Sequence, residues 1–268
     1  MEHTSQQKED LSTALEEQYT AGLDALGHGD LDGAIKYLNL ARDLDKDRLD
    51  ICFNLGLAYY QKEDWPAALA LLRACIEPTF PNGEALYFQG MCLLQVHESQ
   101  NALNAFEAAA RTGNLEAHYQ LSLFYKAGGR RKNENRKKSV KHLEAIVNAL
   151  AEGAEFASKD RAFFALGQIY AEQDETHDKA ILLFRKGLEV NPFSSLGHNS
   201  LGVLLLARGQ ILGAVGEFKV AIQLDAALPG PYTHLANVFY YHINPADLAQ
   251  EFAHIIEEFG TIAAAVLA

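Results

Sequence analysis

The chain is poor in the residues that usually disclose a chemistry. Its 268 residues include three cysteines, two methionines and one tryptophan. The cysteines, Cys52, Cys75 and Cys92, are odd in number and lack metal-ligand spacing, which argues against a disulfide framework and a zinc site. Small core residues are their expected role. Seven prolines are spread thinly through a chain that is 49% hydrophobic, as expected for a folded helical chain rather than a disordered one. No apolar run approaches the roughly 20 residues of a membrane span. The polar start, Met1 to Asp10, has no apolar stretch of the signal-peptide kind, so the chain reads as cytoplasmic.

Catalytic signatures are missing as well. There is no HExxH, and Gly128-Gly129 has neither a strand before it nor a Lys-Ser/Thr after it, as a phosphate-cradling loop would need. The run Asp174-Glu175-Thr176-His177-Asp178 invites a metal reading, but it falls where a turn is expected and reads as an exposed capping turn. His234 and His242 lie eight apart on faces that do not converge. No nucleophile–base pair stands out, so neither enzyme activity nor a cofactor is expected.

What is present is a period. Gly22, Gly56 and Gly90 step by 34 residues, and so do Ala34, Ala68 and Ala102, then Ala41, Cys75 and Ala109, then Leu38, Leu72 and Phe106. The rhythm returns with Gly167 and Gly202, Ala180 and Ala214, and Phe184 and Phe218. A small residue twelve before another, with a large apolar one four further on, fits two helices crossing closely. Self-similarity at this interval marks a helical array.

The pattern resembles the tetratricopeptide repeat family. The second repeat reads Cys52, Leu55, Gly56, Tyr59, Ala68, Leu72 and Cys75; the fifth reads Phe163, Leu166, Gly167, Tyr170, Ala180, Phe184, Gly187 and Pro192. Turn signals fall between the helices at Gly29-Asp30, Glu63-Asp64 and Gly209-Gln210. The resemblance implies an all-α fold, an α-solenoid of about seven antiparallel helix pairs in a right-handed superhelix. By register, a polar lead covers 1–14, and repeats cover 15–48, 49–82, 83–116, 115–152, 160–193, 194–228 and 229–260. The fourth is irregular: Ser122 and Ser139 are 17 apart instead of twelve, which predicts an enlarged turn over Gly128 to Asn135. Residues after Ala149 lengthen the link to the fifth. An apolar tail, 261–268, has no polar face, unlike the usual cap of a solenoid end. It suggests either a chain continuing beyond Ala268 or a tail folded back on the last repeat.

In this family the first helix of each pair lines the concave face, with its fifth residue in the groove. Those positions are Tyr19, Phe53, Tyr87, Tyr119 and Phe164, five aromatics in consecutive repeats, after which Asn199 and Thr233 break the series. Asn54, Tyr60, Phe88, Met91, Gln95 and Leu123 stand nearby. Such residues supply area and pockets for a partner peptide; the competing explanation is that the rings fill gaps between neighbouring helices. Some members clamp the C-terminal carboxylate of chaperone tails with Lys, Asn, Asn, Lys and Arg. Here only Asn54 matches, and Tyr19, Glu84 and Phe88 stand where bases should be, so no carboxylate clamp is expected.

The fourth repeat carries a second anomaly. Lys126, Arg130, Arg131, Lys132, Arg136, Lys137, Lys138 and Lys141 face one acid, Glu134, in a chain of net charge −12. This basic loop is either a solvated surface or a dock for an acidic segment of a protein partner. Nucleic acid is not expected, since the rest of the surface would repel it. The sequence therefore predicts a cytoplasmic protein–protein interaction scaffold or adaptor, with no catalytic residues, cofactor or metal. The alternatives are an N-terminal regulatory module of a larger enzyme, such as a sensor kinase or a glycosyltransferase, and self-association through the groove or the chain's end.

Overall fold

The computed structural model describes residues 2–76, 82–127 and 132–241, with side chains over 10–76, 82–126 and 133–241. Thirteen α-helices and no strand occur among the described residues. They are α1 (Glu2–Gly27), α2 (Leu31–Leu44), α3 (Leu49–Gln61), α4 (Trp65–Ala74), α5 (Gly83–Gln95), α6 (Ser99–Arg111) and α7 (Leu115–Ala127). Then follow α8 (Lys132–Ala151), α9 (Lys159–Tyr170), α10 (His177–Val190), α11 (Ser195–Ala207), α12 (Ile211–Leu224) and α13 (Pro229–Tyr241). The chain divides into two compact units, Met1–Ala145 and Ile146–Ala268. In the first, α1 packs on α2, α3 on α4 and α5 on α6, and each pair also packs on the helix that follows it. In the second, the pairs α9–α10 and α11–α12 repeat the arrangement, with α13 against α12. This is an α-solenoid of antiparallel helix pairs.

The 34-residue period has a direct packing cause. A Cβ added to Gly90 would stand 2.6 Å from the Phe106 ring, and one at Gly202 would stand 2.5 Å from Phe218. At Gly22 and Gly56 the neighbours are Leu38 and Leu72, at 2.7 and 3.1 Å. The glycine's missing side chain is thus occupied by the large residue sixteen positions later. Ala34, Ala68, Ala102, Ala180 and Ala214 are fully buried where the second helix crosses the first. The fourth repeat replaces glycine and alanine by Ser122 and Ser139, both buried. The Ser139 hydroxyl donates to the Ser122 carbonyl at 3.0 Å, and Ser122 donates to the Tyr119 carbonyl at 2.7 Å. Both buried hydroxyls are therefore satisfied, as burial requires.

Helix ends are set by short-range chemistry. Side chains of Asp30, Asp64, Asn82 and Ser194 accept backbone N–H groups of the first turns of α2, α4, α5 and α11, the usual N-cap arrangement. One left-handed residue precedes the capping position in five tight turns: Gly29, Gly113 and Gly209 with φ of 76°, 88° and 71°, and Glu63 and His97, both at 63°.

The structure departs from the sequence reading in three places. The polar lead is continuous with α1, which starts at Glu2. The enlarged turn of the fourth repeat ends sooner than Asn135, because α8 begins at Lys132 and the insertion lengthens that helix to 20 residues. Glu134 in its first turn pairs with Lys138 one turn on at 3.1 Å, an arrangement that favours helix. The long link after α8 carries Phe156, which is buried and which no repeat register singled out. Asn244-Pro245, the end of the seventh repeat and the tail 261–268 lie outside the described residues.

Between α7 and α8 sits a histidine pair. The Nδ1 atoms of His118 and His142 are 3.0 Å apart, and the His142 ring stacks on Tyr125 at 5.8 Å. Glu107 of α6 accepts from the Tyr125 hydroxyl at 3.0 Å, and Lys138 lies over that ring at 5.1 Å. Burial, then the neighbouring His118, then Lys141 push the His142 pKa down to about 4, and burial also lowers that of His118.

Two predictions follow from this packing. Gly90→Ala forces a methyl into Phe106, which is fully buried and cannot swing aside, and should cost about 2 kcal/mol in urea unfolding. An unchanged midpoint would refute the glycine–ring contact as the source of the period. The histidine pair folds in its neutral form, so between about pH 6.5 and 4 the unfolded chain binds more protons at His142 than the folded chain does. Its contribution is complete above about 6.5 and is lost as the pH falls toward 4. His142→Phe should therefore flatten the acid slope of stability; a slope equal to the wild type's would rule the pair out as its cause.

Candidate functional site

The residues expected in the groove fall into separate groups. At the start of the first unit, Tyr19 of α1 and Asn54 of α3 are joined: the Asn54 amide donates to the Tyr19 hydroxyl at 3.0 Å and to the Asp50 carbonyl at 2.9 Å. The Arg48 guanidinium lies 4.6 Å from the Tyr19 ring centre and binds Asp50 at 3.0 Å and Glu16. Partial burial, and then the Asp50 charge, hold the Tyr19 phenol above its ordinary pKa. Asn54, the one residue that matched a carboxylate clamp, is thus committed to neighbours within the chain.

Further along, α3, α4, α5 and α6 bring six aromatic rings into one cluster. Phe88 meets Phe53 at 6.3 Å, Tyr60 at 5.2 Å and Tyr87 at 5.1 Å, all edge to face. Tyr60 also meets Trp65 at 5.4 Å, and Tyr87 reaches the buried Phe106 at 6.0 Å. Such edge-to-face pairs suit the ring quadrupoles. Phe53, Tyr60, Tyr87, Phe88 and Met91 are all half-buried, each packed against the core while keeping part of its surface in solvent. Burial raises the phenol pKa of Tyr60 and of Tyr87. Tyr119 and Leu123 continue the series on α7, Tyr119 half-buried and Leu123 41% exposed.

Beside this cluster an open recess of about 930 Å³ lies at the N-terminal ends of α3, α5 and α7. Phe53 forms part of its wall, with Asp50, Asn82, Glu84, Arg111 and Asn114 around it. Sequence reasoning found Phe53 and missed the others as a group. They are helix-end residues drawn from two repeats, and no spacing in one repeat announces them.

Phe164 belongs to the second unit and serves packing. Its ring fills the places where Gly187 and Gly197 have no side chain, since added Cβ atoms there would stand 2.4 and 3.0 Å from it. It also meets Phe184 at 5.9 Å. The ring thus fills gaps between helices while remaining half-buried.

Of the basic stretch, 128–131 and the Lys132 side chain lie outside the described residues. Arg136, Lys137, Lys138 and Lys141 stand on α8 rather than in a loop, with Lys126 at the end of α7. Lys126, Lys137, Lys138 and Lys141 are exposed.

The remaining chemical candidates are absorbed by the fold. Cys52, Cys75 and Cys92 are buried, and burial pushes the thiols of Cys75 and Cys92 up to about 12 and about 11, which makes them poor nucleophiles. The Asp174–Thr176 segment is a single 3-10 turn; the Thr176 hydroxyl donates to the Tyr170 carbonyl at 2.5 Å, and Arg208 pairs with Asp178 at 3.0 Å. His234 stacks on Phe218 at 5.2 Å. No group of three or more metal-ligating side chains converges among the described residues, and no helix there is long and apolar enough to cross a membrane.

Comparison with known proteins fits this geometry. The tetratricopeptide repeat signature matches residues 19–84 and again residues 160–194. No curated protein is similar in sequence at a level that marks a relative. Among solved structures, the C-terminal part of a TPR repeat-containing protein from Cytophaga hutchinsonii is 17% identical, with 92% of each chain covered and a TM-score of 0.57. A tetratricopeptide repeat protein from Parabacteroides merdae is 15% identical over 93% of this chain and 98% of its own, with a TM-score of 0.54. MamA of AMB-1 is 18% identical over 72% of this chain and 99% of its own, with a TM-score of 0.50. At these identities the likeness speaks for the fold. The 34-residue period, the paired helices and the two signature matches agree: the chain is a helical-repeat protein that carries tetratricopeptide repeats over residues 19–84 and 160–194.

Proposed function

We propose that this protein is an interaction scaffold that holds a peptide segment of a partner protein against the first helices of its first unit. Repeat proteins of this family are generally scaffolds rather than enzymes. The observation that carries the reading is the half-buried cluster of Phe53, Tyr60, Tyr87, Phe88 and Met91 beside the recess at the ends of α3, α5 and α7. The core holds one side of each ring in place, so little side-chain entropy remains to be lost on binding, and the free side offers apolar area. Rigid aromatic anchors of this kind carry most of the energy in protein interfaces. Lys137, Lys138 and Lys141 on α8 supply a positive surface in an otherwise acidic chain. They suit an acidic flank on the same partner and should make its association faster at low salt.

The test is capture of partners from native extract, followed by titration of the purified partner. Phe53→Ala should weaken its binding by about 2 kcal/mol, roughly 30-fold. Leu182→Ala, at an exposed position of α10, should leave it unchanged. Equal affinity for the wild type and Phe53→Ala, with helicity intact by circular dichroism, would place the binding surface elsewhere.

A further inference from the structure

The second unit contains a recess whose counterpart in the first unit is filled by the chain's own rings. In the first unit, Tyr60 stands four residues after Gly56 on α3, and Phe88 stands two before Gly90 on α5; their rings meet at 5.2 Å and close the space between these two first helices. The same register positions in the second unit are Ala171, four after Gly167, and Ser200, two before Gly202. With both rings gone, a recess of about 260 Å³ remains between α9 and α11, floored by Phe184 of α10. Ala171, Val203 and Leu204 give it apolar walls, and Gln168, Asn199 and Ser200 stand in the polar part of its lining. A second observation concerns Asn199. Its Oδ1 is buried and accepts no hydrogen bond, at the position that carries an aromatic ring in the first five repeats. A buried acceptor without a donor is costly and calls for an explanation.

We propose that this recess binds the side chain of a tyrosine in the partner's peptide, the phenol ring taking the space that Tyr60 and Phe88 occupy in the first unit and its hydroxyl donating to Asn199. The volume suits one side chain, being below the roughly 300–1,000 Å³ of pockets that enclose a whole small molecule. The chemistry suits a phenol, because a buried tyrosine needs a partner for its O–H and the wall holds an unused acceptor. Val203, 38% exposed, forms an apolar lip. The inference rests on the scaffold reading above and extends it to a peptide segment bound at the second unit.

The experiment uses the full chain and two defined probes, N-acetyl-tyrosinamide and N-acetyl-phenylalaninamide, titrated while the methyl signals of Val203 and Leu204 are followed by NMR. The tyrosine amide should shift both signals saturably, and the phenylalanine amide should bind at least five-fold more weakly. Asn199→Leu should erase that difference. Ala171→Tyr with Ser200→Phe, which rebuilds the ring pair of the first unit, should abolish binding of both probes. Should this double variant fail to fold, Val203→Phe, placed at the open lip, gives the same test, read at the Leu204 methyls. Absence of shifts with either probe, or shifts that persist in the closed variant, would overturn the assignment. The readout lies in the second unit alone, so such a failure leaves the first unit's peptide-binding test standing.

Discussion

Everything in this structure depends on one steric complementarity: a residue without a side chain on a first helix, and a ring or leucine sixteen or seventeen residues later that occupies the empty space. It recurs at Gly22 with Leu38, Gly56 with Leu72, Gly90 with Phe106, Gly167 with Phe184 and Gly202 with Phe218. Each contact fixes the approach of one helix pair, and each pair then offers the next an apolar face it could not bury alone. In an array of this kind stability is a sum of neighbouring contacts rather than the property of one central core. The Ser122–Ser139 variant shows how far the rule bends. A hydroxyl is tolerated at the crossing because each serine donates to a backbone carbonyl, and the second helix then lengthens to absorb the added residues.

That dependence also explains what the first helices have left to offer. Their inward side is spent on the pairing contact, so function must come from the residues a few positions away. In the first unit these are aromatic and half-buried, held at one edge by the core. In the second unit the half-buried Phe164 packs into the places left by Gly187 and Gly197, while Ala171, Ser200 and Asn199 are small or polar. The same register therefore gives an apolar ring surface in one unit and a small recess with polar groups in the other.

Most of the architecture was legible because the Gly, Ala and Leu/Phe series report contacts between residues at a fixed separation, which a periodic sequence states directly. The start of α8 was misplaced because Lys132 to Asn135 carry turn-like residues, whereas the Glu134–Lys138 pair that supports a helix there becomes visible only once the helix exists. Tyr19, Phe53 and Tyr87 were readable as one series, yet the structure gives them different surroundings: an ion-pair network around Tyr19, a ring cluster around Phe53 and Tyr87. The recess at the ends of α3, α5 and α7 was not readable, since it joins Asp50, Asn82 and Arg111 from two repeats at positions that no single repeat marks.

The central claim is that the partner lies along the first helices of the first unit. Site-specific photo-crosslinking tests it most directly, with a benzophenone amino acid placed at Leu123 on α7 or at Leu182 on α10, both exposed in the free protein. The account predicts a covalent adduct with the partner from position 123 and none from position 182. Adducts from 182 without any from 123 would contradict it.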